Sequence, residues 1–383
     1  MSQLNVDTIK KADGTGNLSV PAETGTVVTT ASPSLGRRNM ILNGSMAVAQ
    51  RGTSSTTSGI QTVDRWSSNG SSGSITQTQE TLSSGDPYDV GFRNFFRMTN
   101  TDVVTDSTTG YRFNATILEA QDLANSGWNY TSSSSYVTFS FWVRSSVAQT
   151  YYAYLRTFDG TGSNYVIPFT LSANTWTKVT ETISGDSALQ FDNDNGQGVQ
   201  VLISAYWGTG YTDSSVATNQ WKTFSSSART PDMTSTWADT DEATFDITGV
   251  QLEVGSVATP FEHRSYGEEL AACQRYYTKV TVDSANDSFC VGLCDAAGNA
   301  TGDVFFPTTM RVAPTALEQT GTASDYEIRK AGSTITCNVV PDYIRASQFQ
   351  STVSFNALGL TAGQAALLRA ATTSAYLAWS AEL

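Results

Sequence analysis

The chain has 383 residues and a formal net charge of −13, with 35 Asp and Glu against 22 Lys and Arg. Phosphate backbones are gripped by clustered Lys and Arg, so this balance argues against nucleic acid as a partner; no apolar run is long enough to cross a bilayer, which argues against membrane insertion. Only 15% of residues are charged while 11% are aromatic, a mixture that suits pleated sheets on which aromatic and β-branched side chains pack.

Residues 1–35 read as an arm. Two short alternating runs, LNVDTI and GNLSV, flank the turn dipeptide Asp13-Gly14, and Pro21 to Pro33 is Thr/Ser/Ala/Gly-rich linker material. Leu4, Val6 and Ile9 are apolar anchors that can add strands to a partner. The N-terminus has no apolar core of the kind a secretory signal needs.

From residue 36 to 264, short strands alternate with turn clusters. The expected strands are Met40–Ala49, Ser74–Thr81, Phe92–Thr99, Gly110–Leu118, Tyr136–Ser145, Gln149–Phe158, Val166–Leu171, Thr175–Thr182, Val199–Tyr206 and Ala243–Glu253. Their spacing predicts a two-sheet antiparallel sandwich, with one short helical turn within Thr116–Asn125. Across Ile247–Tyr277 the period changes. Alternation up to Val254 gives way to turn residues and then, from Ser265, to a helix over residues 265–279 with Glu268 and Glu269 in its first turn. Residues 280–383 form a second β-rich domain with strands at Phe289–Leu293, Thr301–Phe306, Thr315–Gln319, Tyr326–Lys330, Thr334–Val339, Thr352–Leu358 and Ala375–Leu383. Thr361–Ala370 (TAGQAALLRA) reads as a short amphipathic helix capped by Thr361.

Catalytic chemistry finds little purchase. His263 is the only histidine and no G-x-S-x-G occurs, so a Ser-His-acid triad is not expected. Two carboxylates suffice for glycoside hydrolysis, but the acids, such as Asp159, Asp186, Asp213 and Asp241, fall mostly in turn-like stretches where they cap backbone groups. Cys273, Cys290, Cys294 and Cys337 read as buried thiols rather than a zinc site, with a Cys290–Cys294 or Cys290–Cys337 disulfide as the alternative. Structural calcium is the inorganic partner to consider, with Asp192 and Asp194 in the FDNDNG loop and Asp246 in the last sandwich strand as ligands.

The aromatics carry the stronger signal. Alternation in Tyr136–Arg144 puts Val137, Phe139, Phe141 and Val143 on one face and Trp142 with Arg144 on the other. In Gln149–Phe158 it puts Tyr152, Tyr154 and Arg156 together. Sugar recognition uses such surfaces, with rings stacked on pyranose C–H faces and polar groups orienting hydroxyls; burial under a further layer or in a subunit interface is the competing reading. Trp128 and Trp221, among the loop aromatics, complete the glycan-binding candidates.

Three segments, RRNMILNGSMAVAQRGT followed by VDRW (Arg37–Trp66), YVTFSFWVRSS (Tyr136–Ser146) and PFEHRSYGEELAACQRYY (Pro260–Tyr277), resemble bacteriophage tail-fibre and receptor-binding proteins, in that family's order. The resemblance implies a virion tail component, made in the host cytoplasm, with a jelly-roll sandwich like that of carbohydrate-binding modules. It further implies a homotrimer docked to other tail or baseplate proteins through residues 1–35 and adhering to a host-surface glycan such as lipopolysaccharide. A trimer would bring three junction helices together, with Leu270, Cys273 and Tyr277 at the axis. A purely structural tail protein and a polysaccharide-degrading tailspike are the alternatives.

Overall fold

The stripe Val137, Phe139, Phe141 and Val143 is fully buried, and it organises the larger of two hydrophobic cores. A computed structural model describes residues 37–383 and the backbone of two short antiparallel strands, β1 (Ile9–Lys10) and β2 (Asn17–Leu18). The rest of the arm, including Asp13-Gly14 and the linker, lies outside the described residues.

The sandwich is built from β3 (Ser54–Ser55), β4 (Ser67–Ser71), β5 (Thr76–Thr81), helix α1 (Asp86–Asp89), β6 (Asn94–Asn100), β7 (Tyr111–Glu119), helix α2 (Ala120–Ala124), β8 (Tyr136–Ser145), β9 (Gln149–Thr157), β10 (Ser163–Leu171), β11 (Thr177–Ser184), β12 (Gln197–Trp207), β13 (Trp221–Thr223) and β14 (Ala243–Val254). Two six-stranded antiparallel sheets result, in the orders β13-β10-β9-β12-β7-β4 and β11-β8-β14-β6-β5-β3. The architecture is the expected jelly-roll sandwich. Each strand sends alternate residues inward, so Phe139 and Phe141 of β8 share a core with Tyr151, Ala153 and Leu155 of β9. Each fully buried side chain of this kind contributes roughly 1.5–3 kcal/mol.

Helix α3 (Tyr266–Gln274) follows. Ser265 caps it through a reciprocal capping box with Glu268, which satisfies two otherwise orphaned backbone donors. The helix is shorter than the sequence suggests, because Tyr277 already opens a strand. Beyond it come β15 (Tyr277–Thr281), β16 (Ser288–Ala296), β17 (Asn299–Phe305), β18 (Tyr326–Lys330), β19 (Ser333–Thr336), β20 (Val339–Ala346), β21 (Gln350–Asn356), β22 (Ala365–Ala370) and β23 (Tyr376–Ser380). β15 pairs with β23, and the other seven form one sheet in the order β19-β18-β22-β16-β17-β21-β20 around a second core that includes Phe289, Tyr326, Phe355 and Trp379.

Four sequence expectations are corrected. Residues 361–370 are not a helix: β22 is a central strand whose buried Ala366, Leu368 and Ala370 alternate, so period 2 prevails over helix propensity. Residues 40–49 are mostly buried but form no strand. Asn43 and Met46 adopt positive φ, and the Asn43 amide replaces a ladder by bonding Val48 and Asp64. Thr315–Gln319 forms no strand, only an isolated bridge from Glu318 to Ala378. Finally, Cys273 and Tyr277 cannot line a trimer axis, because both are buried within this chain.

Around them runs a polar weld between the sandwich and the C-terminal region. Glu119, at the end of β7, accepts 2.7 Å bonds from Nε and Nη2 of Arg275 and a 2.5 Å bond from the Tyr276 hydroxyl. The guanidiniums of Arg65 and Arg51 lie 3.6 and 3.5 Å over the Tyr276 and Tyr277 rings and both pair with Glu382.

Candidate glycan-binding faces

β8 and β9 are joined by only residues 146–148, yet they belong to opposite sheets. Their inward residues meet in the common core, so their outward residues point away from each other. Trp142 and Arg144 therefore stand on one flank of the sandwich, and Tyr152, Tyr154 and Arg156 on the other. They do not form one surface.

On the first flank, half-buried Trp142 walls a cleft of about 410 Å³ with Phe92, Phe261, His263, Ser140, Thr259 and Lys178. The cleft depends on Gly249, which has φ 60° at a register shift in β14. A Cβ there would come within 2.6 Å of the Phe92 ring and 3.0 Å of Trp142. His263 packs against Phe92 and Phe261, with Nε2 3.2 Å from the Val90 carbonyl oxygen, so it forms part of this cleft. Arg144 is committed elsewhere: its Nε and Nη2 donate to Asp246 at 2.9 and 2.7 Å. The cation that faces the cleft is exposed Lys178, which sequence reasoning missed because only the pairing of β11 with β8 sets it opposite Trp142.

On the second flank the segment between β12 and β14 folds over the sheet. Tyr154 is fully buried and Tyr152 nearly so, packed with Val166, Leu202 and Trp207 and with half-buried Tyr111, Phe113, Tyr211, Val216 and Met233. Trp207 stacks on Phe113 at 5.1 Å. Arg229 lies 4.5 Å over Trp207 and 4.9 Å over Tyr211. Arg156 lies 3.8 Å over Phe224. Arg229 and Phe224 were not among the sequence candidates, because only the returning segment brings them to this face. Trp128 and Trp221 join neither surface: Trp128 is in the main core with Nε1 donating to the Ser135 carbonyl, and Trp221 packs on Tyr165 and donates to the Ser184 carbonyl.

Asp246 is corrected as a metal ligand. Its carboxylate is wholly buried and accepts from both Arg144 and Arg97, the latter at 2.8 and 3.0 Å; two guanidiniums occupy the oxygens a cation would need. Asp192 accepts from the Gln190 amide and Asp194 from the Gly196 N–H, the ordinary bonds of an acidic turn. Among the described residues, no group of three or more His, Cys, Asp or Glu side chains is placed to share a metal. The four thiols are free, and burial pushes Cys290 and Cys337 up to about 12, which keeps them protonated and unreactive.

No protein-family model matches this chain, and no curated protein is a significant relative. Solved structures with a similar chain path include the enzymatically active domain of tailspike protein 4 from Bacteriophage CBA120 (TM-score 0.31, 11% identity, 57% of this chain, 21% of that chain). A family 11 carbohydrate-binding module from Clostridium thermocellum, in complex with a β-1,3-1,4-mixed-linked tetrasaccharide, is also similar (TM-score 0.27, 13% identity, 54% of this chain and 98% of that one). So is the N-terminal CBM22-1–CBM22-2 tandem domain of Paenibacillus barcinonensis Xyn10C (TM-score 0.25, 9% identity, 88% and 99%). The match spans about a fifth of the tailspike chain, and at these identities and scores the likeness assigns no ligand.

Proposed function

We propose that this chain is a bacteriophage tail-fibre or receptor-binding protein that adheres to a host-surface glycan without cleaving it. The carrying observation is the Trp142 cleft, in which a half-exposed indole meets Lys178, Ser140, Thr259 and His263 around a volume of about 410 Å³. That is the size of a small-ligand site, and its mixture of one large ring with several hydroxyl-orienting groups suits a pyranose. The reading includes docking to other virion proteins through residues 1–35 and a homotrimer, in which weak contacts add up to strong adhesion.

The subunit contact belongs on the C-terminal sheet rather than on α3. β16 and β17 leave Val291 and Phe305 70% and 71% exposed on one face, beside Leu293. They line an open groove of about 800 Å³ that also holds Asp303 and Arg345. Soluble monomers seldom leave such a patch uncovered, and the two opposite charges suit a copy of the same surface.

Adsorption assays with Trp142→Ala, checked as folded by circular dichroism, test the adhesion reading. A single stacking ring contributes roughly 1 kcal/mol, so one site should weaken several-fold and multivalent adsorption much more. Unchanged adsorption removes this cleft as the receptor site. The scaffold alternative draws on the burial of Tyr152, Tyr154 and Trp128 and predicts that outcome.

A further inference from the structure

Eight of the sixteen arginines of this acidic chain rest on carboxylates, among them Arg97 and Arg144 on Asp246, Arg264 on Glu262, Arg275 on Glu119 and Arg369 on Glu327. Arg156 and Arg229 do not, among the described residues. Both are half-buried and both lie over the Phe224 ring at 3.8 and 5.9 Å; burial, and secondarily the Arg229 charge, lower the Arg156 guanidinium from its ordinary range. Two cations held together without an acid cost free energy unless an anion joins them.

The surrounding polar atoms have the same vacancy in their bonding. Arg156 Nε, the Tyr154 hydroxyl, Asn164 Oδ1 and Trp207 Nε1 are buried with no hydrogen-bond partner among the described residues. Tyr154 and Asn164 are wholly buried side chains, and Trp207 is only 2% exposed. The register puts them side by side: Asn164 stands opposite Arg156, and Val166 opposite Tyr154. Asn164 spends its amide on the Arg229 carbonyl, which ties the returning segment to the sheet. Arg229 donates Nε to the Ser226 carbonyl and also opposes the burial that raises the Tyr154 phenol to about 12, which sets its guanidinium beside that hydroxyl. Nearby acids do not fill the gap, since Asp213 is bonded to Ser215 and Asp232 to Thr212.

We propose that Arg156 and Arg229, set on Phe224, form an oxyanion subsite for an acidic saccharide, one that bears a carboxylate or phosphate group. The planar guanidinium edges take the anion by paired N–H bonds, while the Phe113–Trp207–Tyr211 cluster beneath holds Arg229 in place. This names the class of glycan within the adhesion reading but places its charged group on the flank opposite Trp142, so the two can fail separately.

Titration calorimetry on the full chain tests it, using trigalacturonate, a phosphorylated mannose and neutral maltotriose at low and high salt. The acidic sugars should bind and weaken with salt, with either anion supporting the subsite. Arg156→Gln and Arg229→Gln should each lower that affinity about tenfold, and Arg156→Lys should recover part of it. Arg329→Gln, a charge-matched change on the exposed side of β18, should leave it unchanged. Equal binding of maltotriose, no binding of either acidic sugar, or full affinity in both Arg156→Gln and Arg229→Gln overturns the proposal. Unaltered adsorption by Trp142→Ala with loss in those two variants would sink the Trp142 cleft alone.

Discussion

Asp246→Ala offers the sharpest test of the sandwich energetics. The wild-type carboxylate accepts four charge-assisted bonds, two from Arg97 and two from Arg144. Removing one partner of a buried ionic cluster usually costs 3–5 kcal/mol, because the other charges are left uncompensated. Here the two guanidinium side chains are 29% and 26% exposed, so water can reclaim part of the loss and the lower end applies, about 3 kcal/mol. For a domain of this size each kcal/mol moves Tm by roughly 2–4 °C, which gives a fall of about 6–12 °C by scanning calorimetry. Arg97→Gln, which leaves Asp246 one full guanidinium partner, should cost less, about 1.5–3 kcal/mol. A fall below 2 °C for Asp246→Ala would refute the ion-pair account. Stabilisation of the wild type by calcium and its loss in Asp246→Ala would restore the metal assignment instead.

Asp64 predicts an unusual pH trend. Burial raises its carboxyl from 3.8 to about 6, against the opposing bonds from Gln50; the folded chain therefore binds a proton between pH 4 and 6 that the unfolded chain has released, and stability falls as pH rises through that window. The contribution is roughly 3 kcal/mol, and urea titrations at pH 4.5 and 7 should show Asp64→Asn flattening the trend; an unaltered slope would count against it. Ser265→Ala should cost about 1 kcal/mol by breaking the capping box, seen as a lower urea midpoint, with no change expected in a Ser265→Thr control. Phe305→Glu on the exposed C-terminal sheet face should convert a trimer to monomers in mass photometry, and a wild type that is monomeric at micromolar concentration would end the trimer reading.

Much of the fold was readable because sheet periodicity is a local property. Tyr136–Ser145 and Tyr326–Lys330 have the bounds that their alternation predicts. The strands that were missed, such as Ser67–Ser71 (SSNGS) and Trp221–Thr223, carry little apolar signal and are held by neighbours rather than by their own pattern. The helix misread at Thr361–Ala370 shows the same rule from the other side: Ala and Leu favour a helix in isolation, but a slot between β16 and β18 decides for a strand.

For the candidate sites the division is just as physical. Composition and alternation alone determined an all-β chain, the core stripe of β8 and the pairing of Trp142 with Arg144 on one strand face. Alternation says which residues share a face but not which sheet receives the strand, so only tertiary structure separated Trp142 from Tyr154 by the thickness of the sandwich. Nor can local pattern foresee a partner distant in sequence. Asp246 became an ion-pair centre because Arg97 and Arg144 arrive on neighbouring strands, and Arg229 reached Arg156 because the segment after β12 folds back over the sheet.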